Sequence, residues 1–233
     1  DATLGHFGLI MRGEDGLLAN GAAREAVAMA IDRPRMIAGF GVEGWREMNS
    51  LSPRQLTARG DVPNYGWLTL NAQDRKRRAA TVLAPMLGGD NGLSLFIAGR
   101  GPGADLVFAY LRTDLADVGI TLSRAKAAAG ADMILLDEVA DFDDPLWYLT
   151  RLNCAHVPVC SKDGDALVRA ARGADTIAQR RVLLAEAEAA IMGRYGYIPL
   201  ATPLRLSLVR PGVGGFAPNL RGLHLPQYLR AGS

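Results

Sequence analysis

The chain has 233 residues, 49% of them hydrophobic, with 26 Lys and Arg against 24 Asp and Glu and a formal net charge of +2. That is enough apolar material for one large domain or one and a half small ones. So balanced a charge does not fit a nucleic-acid binder, which concentrates positive charge on one face. No apolar stretch reaches the ~18 residues that span a bilayer.

Residues 4–11 are a short apolar run that predicts a strand, followed by a loop from Gly13 to Asn20. From Gly21 to Ile31, the residues Ala22, Ala26, Met29 and Ala30 recur at i, i+4, i+7 and i+8, which predicts one apolar helical stripe. Pro34 ends or restarts that helix, and Asp32 is placed to cap a second helical turn from Arg33. Residues 40–70 are rich in Gly, Pro and Asn and read as an irregular crossing segment. A helix is expected over Ala72 to Leu87, with the basic run Arg75 to Arg78 as a solvated face rather than a phosphate-binding patch. Gly88 to Gly92 is a turn cluster, Leu93 to Ala98 a strand, and Ala104 to Val118 a helix with Leu106, Tyr110, Leu111 and Leu115 on one side.

Gly119 stops that helix and Ile120 to Leu122 begins another strand. Residues 125–131 are too rich in Ala and Gly to assign, while Met133 to Leu136 reads as a buried strand. Helices are expected over Asp163 to Arg172 and Thr176 to Tyr195, with extended chain over Ile198 to Thr202 and Leu204 to Val209. The tail from Pro211 is full of Gly and Pro and carries a short apolar piece at Leu223 to Leu225. Together these elements predict a mixed α/β layer architecture.

Catalytic chemistry has little support. His6, His156 and His224 lack metal-ligand spacing, and neither a G-x-S-x-G elbow nor a Walker loop occurs. No catalytic residue, metal site or cofactor is assigned. Gly99-Arg-Gly-Pro-Gly103 follows a strand and opens a helix, as a phosphate cradle would. Pro102 removes one N–H, however, and a tight turn needing positive φ explains the glycines. The carboxylates Asp137, Glu138, Asp141, Asp143 and Asp144 suit a hard cation, a ligand ammonium in a crevice at a strand end, or a helix cap near Pro145. Cys154 and Cys160 flank a short loop containing Pro158. They close as a disulfide, which fits an oxidising compartment, or stay as two thiols.

Five segments, in order, carry a resemblance. Ala23-Arg-Glu-Ala-Val-Ala-Met-Ala-Ile-Asp-Arg33 is similar to an "R-x-A-x-x-x-A-I-D-R" helix, and Tyr110 to Ile120 to a "Q-x-x-L-x-x-x-G-I" helix–strand junction. Asp141-Phe-Asp-Asp-Pro145 resembles a "D-x-x-D-P" turn. Asp163 through Glu188 resembles a "D-x-L-x-x-A…R…L…E" helical pair, and Ile198-Pro-Leu200 with Gly214-Gly-Phe216 a closing strand and return segment. This ordered set resembles the C-terminal half of the extracytoplasmic solute-binding proteins of ABC importers, in the peptide/nickel-binding class.

The resemblance implies a periplasmic-binding-protein-like α/β lobe with a mixed sheet flanked by helices. Residues 1–209 would be the C-terminal lobe and 210–233 the return segment towards an N-terminal lobe absent from this chain. The start at Asp1, without an initiator Met, reads as loss of an upstream piece by processing or by choice of the expressed segment. By the same resemblance Asp141 pairs with a ligand α-ammonium, and Glu138 and Val139 line the cleft. The implied partners are a peptide or other small solute and a membrane permease, with no nucleic acid, outside the cytoplasm. Glu138 stands where many members carry Trp, and Leu9-Ile-Met11 where Phe-Asn is usual. These departures imply a more cationic ligand or a scaffold that has lost its ligand. An α/β enzyme using the Gly99–Gly103 turn for a phosphorylated cofactor is the reading outside the family.

Overall fold

The computed structural model describes residues 1–13, 15–56, 65–89 and 91–231. Parts of the expected loop at 14, crossing segment at 57–64, turn cluster at 90 and return segment at 232–233 lie outside them. Five strands build the main sheet: β1 (Gly5–Met11), β2 (Gly92–Phe96), β3 (Thr121–Arg124), β4 (Met133–Val139) and β5 (Tyr197–Ala201), in the order β3-β2-β4-β1-β5. β3, β2 and β4 run parallel, whereas β1 is antiparallel to both of its neighbours. The sheet is therefore mixed, and the carboxyl ends of β2, β3, β4 and β5 share one edge with the start of β1.

Seven helices flank it: α1 (Gly21–Ala30), α2 (Arg33–Phe40), α3 (Ala72–Leu83), α4 (Pro102–Ala116), α5 (Pro145–Arg151), α6 (Lys162–Arg172) and α7 (Ile177–Met192). Among the described residues no helix is long and apolar enough to cross a membrane. Side chains of Asn20, Asp32, Asn71, Asp144, Ser161 and Thr176 accept hydrogen bonds from the first turns of α1, α2, α3, α5, α6 and α7. Each satisfies an amide that the helix itself cannot pair. The cap at Asp32 matches the sequence reading.

Packing alters several details. The expected stripe on α1 includes Ala22, which is exposed; Ala23, Ala26, Val27, Ala28, Met29 and Ala30 are all buried, so the helix is enclosed nearly all round. On α4 the buried face is Val107, Leu111, Asp114 and Leu115, with Leu106 and Tyr110 only half-buried. A polar residue thus occupies an apolar stripe. Asp114 accepts from the Asp32 amide at 2.9 Å, Arg35 at 2.7 Å and Lys76 at 2.7 Å, pinning α2 and α3 to α4. The basic run of α3 divides: Arg77 and Arg78 are solvated, but Arg75 and Lys76 are half-buried and turn inward. The extended stretch expected over Leu204 to Val209 enters the sheet network only at Leu204, bridged to Ala2.

Two features shape the edge of the sheet that matters below. Gly5 sits at φ 150°, and a Cβ there would lie 2.0 Å from the Glu138 carbonyl oxygen, so β1 and β4 meet only because residue 5 has no side chain. Residues 46–48 pair with the free edge of β5, Met48 N–H donating to Leu200 O at 3.1 Å and Thr202 N–H to Arg46 O at 3.1 Å. A two-stranded ladder, β6 (Val213–Gly214) with β7 (Arg230–Ala231), closes the tail.

Candidate functional site

β4 continues to Val139, so Glu138 and Val139 lie within the strand and point to opposite faces. Ala140 N–H donates to Leu4 O at 2.8 Å, extending the pairing with the N-terminal segment by one step. The chain then turns at Asp141–Asp144 into α5. Asp144 caps that helix through the Leu146 amide at 2.8 Å and grips Arg180 of α7 with both oxygens at 2.8 and 2.7 Å. It is a structural cap, as the residue pattern allowed.

Asp141 is the outermost acid of the turn, its side chain 72% exposed. It accepts from Trp147 Nε1 at 3.0 Å, and Arg151 approaches at 3.5 Å. The same guanidinium lies 3.6 Å from Glu138, so the structure brings Glu138 and Asp141 together around Arg151. Val139 is half-buried and pairs with Gly5 in register. Arg205 pairs with Asp137 at 2.8 Å and Arg221 with Asp143 at 2.6 Å. Five carboxylates at this edge (Asp137, Glu138, Asp141, Asp143 and Asp144) therefore face four arginines (Arg151, Arg180, Arg205 and Arg221), leaving one excess negative charge. That excess sits on Glu138 and Asp141, which share one arginine at long range. A hard cation would have to displace these arginines, and among the described residues no group of three His, Cys, Asp or Glu is placed to hold a metal ion.

Behind the corner lies an aromatic cluster. His6, opposite Glu138 in register, is buried against Trp147, Tyr148 and Tyr197, with ring centroids 5.3, 5.2 and 4.9 Å away. Its Nε2 lies 3.1 Å from Tyr148 O. Burial pushes the imidazole down to about 4, against the pull of that carbonyl, and Arg151 adds to the depression. The ring is neutral at pH 7 and donates to the carbonyl. Trp147 thus joins the buried cluster to Asp141 at the surface.

An open cleft of about 630 Å³ runs along the same edge, walled by Leu4, Thr202 and the segment Arg46 to Gln55. Leu4 also packs with Ala140, Trp147 and Tyr148, which places the cleft beside the acidic corner. Its outer wall is anchored by buried Glu188 of α7, which accepts from the amides of Leu51 at 2.7 Å and Ser52 at 3.0 Å. Burial raises the Glu188 carboxyl above its ordinary range, and these donors partly offset that. Glu138, Val139 and Asp141 do not line this cleft; apart from Leu4 and Thr202, the residues that do come from the stretch read as irregular. Two chain segments leave the edge side by side, with Thr3 N–H donating to Pro203 O and Arg205 N–H to Asp1 O, each at 2.9 Å.

The Gly99–Gly103 turn follows β2 and does not line this cleft. Gly101 holds φ 119° at the start of α4 and Arg124 pairs with Asp105, so a turn needing glycine accounts for the motif. A disulfide joins Cys154 and Cys160, closing the connection between α5 and α6.

No protein-family model and no curated sequence matches the chain. Solved structures do. Over 98% of its length the chain superposes on 48% of the murein tripeptide-binding protein MppA of Escherichia coli, with a TM-score of 0.84 and 18% identity. The chain has the fold of half a solute-binding protein. Haemophilus influenzae OppA, in complex with the peptide RPPGFSPFR, matches over 99% of this chain and 49% of its own (TM-score 0.85, 15% identity). NikA from Brucella suis, in complex with Fe(III)-EDTA, matches over 98% and 51% (TM-score 0.76, 17% identity). The chain thus spans about half the length of these solute-binding proteins and shares with them a lobe built on a mixed five-stranded sheet.

Proposed function

We propose that the chain is the C-terminal lobe of the capture protein of an ABC importer, and that it holds the ammonium end of a peptide-like or other small solute at the acidic corner. Residues 1–209 form the lobe, and 210–233 return towards an N-terminal lobe that closes over the cleft. The single unbalanced negative charge of Glu138, Asp141 and Arg151, at the carboxyl end of a sheet strand, carries this reading. Open α/β sheets take ligands at that edge. A cation there gains little in water, but much more once a second lobe excludes solvent. Val139 and Glu138 line the approach, and Asp141 makes the contact.

Other observations support the two-lobed reading. Leu206 and Leu208 before the tail, and Leu223 and Tyr228 within it, expose large apolar side chains, which suits a segment covered by further protein. The disulfide suits an oxidising, extracytoplasmic compartment. Captured solute would shift the lobes towards closure, and the closed form would dock on a membrane permease. No bond is made or broken.

Titration calorimetry of the two-lobed protein with trialanine, N-acetyl-trialanine and RPPGFSPFR tests this. Free amino termini bind, acetylation abolishes binding, and Asp141→Asn weakens it about tenfold or more. Absence of binding by the wild type would instead favour a scaffold that has lost its ligand, and equal binding of trialanine by wild type and Asp141→Asn would take the ammonium away from this corner.

A further inference from the structure

A smaller cavity of about 160 Å³ shares Glu47, Asn49 and Arg54 with the cleft and is also walled by Arg33, Leu68 and Arg75. We propose that this cavity binds a single oxyanion group, a phosphate or a carboxylate. Its charge is the reverse of the acidic corner: the guanidiniums of Arg33 and Arg75 face one carboxylate, and that carboxylate, Glu47, is exposed and held by Asn49 Nδ2 at 3.1 Å.

Arg33 is the decisive residue. It is 2% exposed at the start of α2, yet its acceptors are all neutral: Pro199 O at 2.8 Å, Ala28 O at 3.3 Å and Ile31 O at 3.4 Å. Among the described residues no carboxylate forms an ion pair with it, and its Nη2 is buried without an acceptor. Arg75 repeats the pattern from α3, with Nη1 donating to Leu70 O at 3.0 Å and Nε buried and unpaired. Buried donors are ordinarily satisfied, and buried charges ordinarily have a counter-charge. Burial lowers the Arg33 guanidinium to about 10, so it remains a cation at neutral pH. An oxyanion supplies the missing acceptors and the missing charge together, and guanidinium forks match its geometry. The volume admits one such group and excludes a peptide. Asn49 Oδ1, buried without a donor, adds an acceptor that the hydroxyl of a monohydrogen phosphate satisfies and a carboxylate does not.

Every residue that walls the cavity belongs to this chain, so its test does not require the second lobe or a peptide. Titration calorimetry of the 233-residue chain with sodium phosphate and sodium acetate, against sodium chloride at equal ionic strength, gives a saturable one-to-one isotherm for at least one oxyanion and none for chloride. Arg75→Gln weakens it tenfold or more, whereas Arg77→Gln, on the solvated face of the same helix, leaves it unchanged. If Arg75→Gln does not fold, Arg75→Lys, which keeps the charge but loses the guanidinium fork, serves in its place. Response to phosphate alone assigns a phosphate site, and response to acetate assigns a carboxylate site. Absence of a saturable isotherm with both anions, or an affinity unchanged in the cavity variant, overturns the proposal.

Discussion

Acid should weaken this lobe through a single buried imidazole. His6 is enclosed by Trp147, Tyr148 and Tyr197, and its folded-state pKa is lowered to about 4 from an ordinary 6.5, chiefly by burial. Above pH 6.5 both folded and unfolded chains carry it neutral, and its contribution to stability is complete. As the pH falls from 6.5 to 4 only the unfolded chain takes up the proton, so stability is progressively lost in that window. A displacement of that size corresponds to about 3 kcal/mol, a large share of the ~5–15 kcal/mol typical of a domain. Guanidinium unfolding of wild type and His6→Gln from pH 7.5 to 4 isolates the effect. The difference in unfolding free energy between the two proteins should narrow by about 3 kcal/mol as acid is added. Nuclear magnetic resonance of the His6 ring in the folded wild type gives a second reading, with the ring staying neutral to near pH 4. Parallel pH profiles for the two proteins, or a folded-state ring that titrates near 6.5, would refute the reasoning.

Two further outcomes follow from the same edge of the sheet and its surroundings. Gly5→Ala forces a side chain at φ 150° onto the Glu138 carbonyl, and chemical denaturation should register a loss of about 2–4 kcal/mol together with faster amide exchange at Ala140, which donates to Leu4. A tolerated Gly5→Ala would mean that β1 and β4 can separate without cost. Reducing the Cys154–Cys160 disulfide releases a short loop and should lower stability by about 2 kcal/mol, read as a fall in the denaturation midpoint with dithiothreitol.

The layer architecture was legible because it rests on local signals. The helix start at Asp32 and the helix stop at Gly119 are written in residues whose backbone chemistry is specific, and the short apolar runs of β1 and β4 read as strands, although only Met133 of β4 is fully buried. What escaped the sequence is long-range. Segment 46–55 carries no periodicity because it is held by backbone bonds to β5 and by Glu188, more than a hundred residues away. Asp114, absent from the apolar stripe expected on α4, is its buried anchor. Arg24 and Arg33, which the sequence placed only within a helical motif, are both buried with their guanidiniums on carbonyl oxygens. Nothing in a linear pattern distinguishes an arginine that faces water from one that stitches loops together. At the acidic corner the carboxylates could be named from sequence, but the four arginines that neutralise most of them, drawn from α5, α7, the stretch after β5 and the tail, could not.

The most direct measurement is a crystal structure of the two-lobed protein grown with trialanine. The account predicts a closed cleft with the peptide ammonium within hydrogen-bond reach of an Asp141 carboxylate oxygen, and Arg151 still beside Glu138. A bound peptide whose amino terminus lies away from this corner, or Asp141 left in bulk water in the closed form, would contradict it.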